Sequence, residues 1–417
     1  MKLNYRRTTL IGLAFLSISA FWQMYDTIIP LILRDTFSIG DSASGIIMAM
    51  DNVLAVFLLP IFGKLSDRCG TPIGKRMPFI VCGTALAVIF MLLMSAANVP
   101  GRFTMFIVLL GLTLISMGTY RSPAVALMPD VTPKPLRSKA NAVINLMGAL
   151  GGVYSLLVIR VLTAGGSTNY TPIFIAVAAL MAVAVVLLLA FVRENKLRAL
   201  VPTETAEAAS TGGKLPPEMK RSLILILCSV SLWFMGYNAV TTAYSKYFTR
   251  MWGDLSGAAS CLMIATVGAV VSYIPVGIIS TKIGRKRMIM IGVVVLASSF
   301  GIAAFVRVFT PLVYVLFVII GFAWASINVN SYPMVVEISR GGDVGKYTGY
   351  YYTFSMAAQI LTPVLSGWLL EHVGYHTLFP YAFVMVGAAF FTMLFVRHGD
   401  SKPAQPKSAL EHFDVED

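Results

Sequence analysis

Twelve times in 417 residues, the sequence runs through ~20 mostly apolar residues before a short polar turn interrupts it. The runs lie near 8–33, 43–63, 78–97, 103–128, 138–163, 171–192, 221–247, 256–281, 288–306, 311–336, 345–370 and 375–396. Hydrocarbon offers no water to a backbone amide, so each run must satisfy its own N–H and C=O groups by forming a helix. The alternating pattern of barrel strands is missing. Only 12% of residues are charged and 57% are hydrophobic, against ~25% charged in a soluble domain. The expectation is an all-α membrane protein with twelve transmembrane helices.

The net charge of +13 is unevenly placed. Of 32 Lys and Arg, five (Arg34, Arg102, Lys246, Arg250, Arg307) fall in one set of alternate loops and two (Arg121, Arg160) within spans. The others collect on the opposite side. Such asymmetry orients helices with basic loops inside, which places both termini in the cytoplasm; short loops and no long targeting segment suit a bacterial cell inner (cytoplasmic) membrane. These charges meet anionic lipid rather than nucleic acid. The first run follows Lys2, Arg6 and Arg7, yet Gln23, Tyr25 and Asp26 stand where a signal peptide would be cut, so it reads as a retained anchor. Cys69, Cys82, Cys228 and Cys261 have no metal-site or disulfide spacing and read as packing residues.

Two loops are alike. Gly63-Lys-Leu-Ser-Asp-Arg-Cys-Gly-Thr-Pro-Ile-Gly-Lys-Arg-Met-Pro-Phe-Ile80 joins the second and third runs, and Gly277-Ile-Ile-Ser-Thr-Lys-Ile-Gly-Arg-Lys-Arg287 echoes it in the second half. The recurrence predicts two related six-helix halves, 1–192 and 221–397, joined by a cytoplasmic linker over 193–220 and followed by a polar tail over 398–417. The loop resembles that between the second and third helices of major facilitator superfamily transporters. The resemblance implies two pseudo-symmetric bundles rocking around a midplane site, with Gly63, Asp67, Arg68, Lys75 and Arg76 forming a cytoplasmic gate. Topogenic charge alone is the other role open to those residues.

Function must come from polar groups inside the spans. Asp26, Asp51, Arg121 and Arg160 are the charges there, all in the first half. A charge at the bilayer centre costs at least ~2.5–3.5 kcal/mol, so each needs a partner or a wet cavity. A purely structural ion-pair network is the alternative, and Arg160, nearest a helix end, is expected to snorkel outward. Trp22 and Gln23 share a face with Asp26, a trio suited to sugar hydroxyls and C–H faces. Asp51, beside Asn52, lies about 12 Å along its helix from Ala43 and is placed to carry a proton. Asn141, Asn145, Gly148 and Gly152 share a face of the fifth run; the glycines permit close packing, and the asparagines are candidates for hydroxyl recognition. In the second half, Trp233, Tyr237 and Asn238, then Trp324 and Asn328 with Asn330 nearby, then Tyr350–Tyr352 with Gln359, fit a wall for a neutral solute. His372, His376, His398 and His412 lie at or beyond span ends without nucleophile or metal spacing, so neither enzyme chemistry nor a metal is expected.

The stretch Tyr120-Arg-Ser-Pro-Ala-Val-Ala-Leu-Met-Pro-Asp130, continuing to Asn141, Asn145 and Gly152, together with Gly63–Ile80, resembles the glycoside–pentoside–hexuronide:cation symporter family, in its sucrose/disaccharide-type branch. Where the melibiose-type branch carries two cation-binding aspartates, this chain has Ala55 and Leu59; an acid of that branch falls at Arg121, and its sugar-contacting arginine at Asn145. The resemblance therefore implies a lost sodium site. Arg121 would supply the fixed positive charge, and Asp51 or Asp26 would exchange a proton. The expected function is import of a neutral disaccharide, sucrose- or maltose-like, coupled to protons, by a monomer without cofactors. Residues expected to contact sugar are Trp22, Gln23, Asp26, Asn52, Tyr120, Asn141, Asn145, Trp233, Tyr237, Asn238, Trp324, Asn328, Tyr351 and Gln359. An uncoupled facilitator, an exporter of drugs or another solute, and a non-transporting sensor remain the alternatives.

Overall fold

The computed structural model describes residues 3–132, 137–164, 166, 168–199, 216–253, 255–338 and 344–400. His412, most of the expected linker and the tail from Ser401 lie outside them. The helices are α1 (Tyr5–Asp35), α2 (Asp41–Arg68), α3 (Met77–Ala96), α4 (Phe103–Val131), α5 (Arg137–Leu162), α6 (Thr171–Phe191) and α7 (Glu194–Arg198). They continue with α8 (Pro217–Met251), α9 (Leu255–Ile283), α10 (Arg285–Phe305), α11 (Leu312–Ile338), α12 (Val344–His372) and α13 (Leu378–Leu394). Among the described residues, twelve are long and apolar enough to cross a membrane; only α7 is not. The chain is an all-α, multi-pass membrane protein.

It divides into two compact units. One comprises residues Met1–Gly40, Met50–Thr203 and Gly253–Met263; the other comprises Asp41–Ala49, Glu204–Trp252 and Ile264–Asp417. The first nine residues of α2 thus cluster with the second unit, and the first residues of α9 with the first.

In the first unit α1 is enclosed along most of its length. Lipid removes the hydrophobic reason for helices to associate, so close backbone approach and hydrogen bonds must hold them. Gly12 receives the Met147 side chain of α5, and Gly151 lies so near the Leu16 carbonyl that any Cβ would overlap it. Ser155 Oγ then donates to the Ala20 carbonyl at 2.6 Å. From α4, Tyr120 donates to the Ala14 carbonyl at 2.8 Å and meets the Ser17 hydroxyl. The closest α1–α5 approach therefore uses Gly151, with Gly148 facing Ser19 and Gly152 facing Gln23.

The second unit repeats the scheme. Gly236 of α8 lies against the Ala382 carbonyl of α13, and Ser229 and Thr392 hydroxyls pair at 2.7 Å. Gly292 seats α10 on Ala323 of α11, and Gly321 seats α11 on the Ala265 carbonyl of α9. One expectation is corrected here. Lys246, grouped with the loop charges above, lies inside α8, is 4% exposed, and pairs with Asp41 at 2.7 Å. The second half therefore does bury a charge within a span, made tolerable by a partner brought from α2.

Candidate transport site

On α1 the residues Phe15, Leu16, Ser19, Trp22, Gln23 and Asp26 are half-buried, while Ser17, Phe21, Met24, Tyr25 and Thr27 are enclosed. Their spacing of three and four is one helical face, which turns polar from Ser19 to Asp26. Ser19 was not anticipated; a lone serine in an apolar run carries no distinctive signal. Gln23 donates to the Thr27 hydroxyl at 3.3 Å, and the buried Trp22 Nε1–H has no acceptor among the described residues.

Two other helices bring charge to this face. The Arg121 guanidinium of α4 lies over the Trp22 ring, 5.6 Å from its centroid. On α2, Asp51 accepts a hydrogen bond from Asn52 Nδ2 at 2.8 Å. Asp51 feels the charge of Arg121, and Asp26 that of Asp51. Yet among the described residues no ion pair within 4.0 Å includes Asp26, Asp51 or Arg121. Two carboxylates and a guanidinium thus share a half-buried region within electrostatic reach but without direct contact. Asn141 and Asn145 on α5 are half-buried and engaged with neighbours. Tyr120 is not brought to this group: it is fully enclosed and its hydroxyl is used between α4 and α1. Arg160 is exposed.

In the second unit, Tyr237 of α8 stacks flat on Trp324 of α11, centroids 3.7 Å apart and planes 5° apart, with Phe234 edge-on to Trp324 at 5.3 Å. Asn238 is half-buried, its Nδ2 without a partner among the described residues, and Gln359 is half-buried. Trp233 and Tyr351 lie in the interior, the latter bonded to Ser331 at 3.0 Å. Asn330 donates to the Ser326 carbonyl at 3.0 Å, and Asn328 is buried. Tyr332 packs edge-on against Tyr351 and tilted by 37° against Tyr352, while Tyr350 is exposed.

The Gly63–Ile80 loop is a charge cluster. Arg76, 4% exposed, contacts Asp67, donates to Asp130 at 2.9 Å, and reaches the Gly63 carbonyl at 3.1 Å and the Ser66 hydroxyl. Lys75 joins Asp130 at 3.0 Å, and Arg68 is exposed. Sequence reasoning missed Glu194: at the start of the expected linker, it lies on α7, fully buried, and takes the backbone N–H groups of Lys75, Arg76 and Met77. The echo loop has matching parts. Arg285 pairs with Glu337 at 2.7 Å, and Asp400 accepts the Lys286 N–H at 2.8 Å.

Known proteins agree with this architecture. A tetracycline resistance protein of class B from Escherichia coli is 23% identical over 83% of this chain and 84% of its own length. The class H protein of Pasteurella multocida is 25% identical over 63% of this chain, which spans 64% of that relative's length. Multidrug resistance protein MdtG of Salmonella typhimurium is 21% identical over 91% of the chain and 92% of itself. Among solved structures, the nucleoside transporter NupG superposes with a TM-score of 0.69 at 16% identity, covering 95% of this chain and 100% of that one. A POT family transporter with a thioalcohol-conjugated peptide gives 0.73 at 12% identity over 94% and 95%. These structures share the fold. The profile of the MFS/sugar transport protein family matches residues 10–395, so the chain belongs to that family and is a membrane transporter of the major facilitator kind.

Proposed function

We propose that this transporter imports a neutral sugar of disaccharide size together with a proton, by alternating access. The observation that carries the reading is the half-buried group formed by Asp26, Asp51 and Arg121 on three helices, with Trp22, Gln23 and Ser19 on the same α1 face. Contact-free opposite charges leave room for a proton to change the balance without breaking a locked salt bridge. Ala55 and Leu59 offer no carboxylate for sodium, which favours the proton as coupling ion. Within the second unit by itself, stacked Tyr237 and Trp324 form an apolar face suited to sugar C–H groups, with Asn238 and Gln359 as amides suited to hydroxyls. The family's description as sugar transport proteins supports the same class. Both termini and the Arg76 cluster would face the cytoplasm of a bacterial inner membrane, and the monomer would need only sugar, protons and lipid.

The test is a panel of mono- and disaccharides given to purified protein in proteoliposomes holding a pH-sensitive dye. A disaccharide that drives proton entry supports the proposal; a panel without any proton movement ends it.

One observation favours a second reading, drug export. The relatives named above are tetracycline and multidrug resistance proteins, and a flat aromatic pair accepts planar drugs as well as sugars. Acid-driven uptake by inverted vesicles, with none in right-side-out vesicles, would select export.

A further inference from the structure

Beyond α13 the chain runs on as a short strap, residues 395–400, that is pinned to three other helix ends of the second unit. The Arg397 N–H donates to Ser222 Oγ at 3.3 Å, and the same hydroxyl meets His398 Nδ1 at 2.9 Å, both at the start of α8. Gly399, with φ of +87°, lies so near the Met334 carbonyl of α11 that a Cβ would overlap it. Asp400 accepts the Lys286 N–H at 2.8 Å, at the start of α10. Lys286 Nζ in turn donates to the Leu394 and Val396 carbonyls at 3.0 and 2.6 Å, satisfying acceptors that the end of α13 leaves open. These contacts gather the ends of α8, α10, α11 and α13 around the point where residue 401 begins.

The same point is ringed by cations. Lys220 and Arg221 directly precede Ser222, Lys282 lies two residues before Gly284, Arg287 follows Lys286, and Arg397 belongs to the strap. All five are exposed. Among the described residues none of their side chains makes an ion pair within 4.0 Å. The described acids at these helix ends are Glu218, Glu337 and Asp400. Glu337 is taken by Arg285 and Asp400 by the Lys286 N–H, so only Glu218 is left to offset five positive charges. Like charges gathered in this way repel one another and attract an anion.

The chain carries a matching one. Glu411, Asp414, Glu416 and Asp417 put four acids into seven residues, and no Lys or Arg follows Lys407. Ten residues, 401–410, separate them from the pinned Asp400. A flexible segment of that length spans roughly 16–19 Å on average, and such a tether holds the acids at an effective concentration on the order of millimolar beside the cations. Anionic lipid headgroups are the other source of negative charge at a membrane surface. The strap favours the tail, because it brings the chain out among the cations, and a segment already anchored loses less freedom on docking than a separate molecule.

We propose that the acidic segment 411–417 docks on the basic surface formed by Lys220, Arg221, Lys282, Arg287 and Arg397, neutralising this end of the second unit from within the same chain. The docking rests on neither sugar nor proton as the cargo.

Its test uses the full chain in proteoliposomes, with Cys69, Cys82, Cys228 and Cys261 replaced. Spin labels at Ile279→Cys, an exposed position one turn before Lys282, and at Val415→Cys report the distance from tail to patch by pulsed electron resonance, without any substrate. One narrow distance is expected, in vesicles of phosphatidylcholine alone and in vesicles containing anionic phosphatidylglycerol. Glu411→Gln, Asp414→Asn, Glu416→Gln and Asp417→Asn together lower the ratio of docked to free tail about tenfold, because exposed ion pairs are individually weak and act here as a group. Lys282→Gln with Arg287→Gln shifts it the same way, and so does raised salt. A broad distribution in the parent protein overturns the docking. So does a narrow distance that survives neutralisation of both tail and patch. A narrow distance lost only in the anionic vesicles overturns it too, by assigning the patch to lipid headgroups. A narrow distance between chains labelled at Ile279→Cys alone and chains labelled at Val415→Cys alone overturns it as well, by assigning the patch to a second copy. With no sugar present, a failure of proton-coupled uptake leaves this result intact, and the reverse also holds.

Discussion

Glu194 grips the Arg76 backbone N–H with both carboxylate oxygens, at 3.1 and 3.0 Å, although 118 residues separate the two. The same carboxylate takes the N–H groups of Lys75 and Met77 at 3.0 Å each, capping the start of α3 from outside the helix. Gly74 makes this possible: its φ is +134°, and a Cβ there would overlap Glu194. Gly284, with φ of +94°, and Asp400 repeat the arrangement at α10. Glu194→Gln keeps the shape but loses the charge, and is expected to cost ~1–3 kcal/mol of stability. Thermal unfolding of the detergent-solubilised variant measures this; an unchanged midpoint would show that water replaces the cap.

Arg76 and Arg285 occupy matching loops but unequal surroundings. The Arg76 side chain is 5% exposed and Arg285 is 19% exposed, beside Asp130 at 22% and Glu337 at 24%. Arg76→Ala leaves Asp130 without its enclosed partner and is expected to destabilise by ~3–5 kcal/mol. Arg285→Ala is expected to cost clearly less. Comparing melting temperatures of the two variants checks the order.

Tyr120→Phe removes the bond to the Ala14 carbonyl and leaves Ser17 one partner fewer. The expected loss is ~0.5–1.5 kcal/mol of stability with the apparent KM for transported solute unchanged, since the hydroxyl is enclosed between α1 and α4. A shift in KM with an unaltered melting point would return Tyr120 to the substrate site.

Asp51→Asn and Arg121→Lys address coupling. Asparagine cannot carry the proton, and lysine offers a point charge where a planar guanidinium now covers Trp22. Each variant is expected to lose proton-driven accumulation by at least about tenfold while solute exchange persists, as only the coupled step uses the charge. Accumulation kept by both variants would remove these residues from the coupling role.

Trp324→Ala deletes the ring stacked on Tyr237. Aromatic contacts contribute ~0.5–1.5 kcal/mol beyond buried area, so KM is expected to rise about two- to tenfold. Trp324→Phe should recover part of the loss. Uptake titrations over a range of sugar concentrations read both effects.

Much of the architecture is one-dimensional information. The length of each apolar run sets how many helices cross hydrocarbon, and the loop Gly63–Ile80 already holds Asp67, Lys75 and Arg76 within ten residues of one another. Asp26, Asp51 and Arg121 were visible because a charge in an apolar run is conspicuous. Direction was not visible. Tyr120 and Arg121 are adjacent, yet one is sealed against α1 and the other lies over Trp22, because successive residues on a helix point about 100° apart.

What the sequence determined by itself was the number of spans, their helical form and which of them carry charge, since these follow from the cost of exposing backbone and ions to lipid. Tertiary structure alone decided the partners. Lys246 became a buried half of an ion pair because Asp41, 205 residues away, arrived beside it, and Glu194 became a cap because the α3 start arrived beneath it. Coulomb attraction and hydrogen bonding act over a few ångströms of space, and spacing along the chain says nothing about which residues folding will bring within that reach.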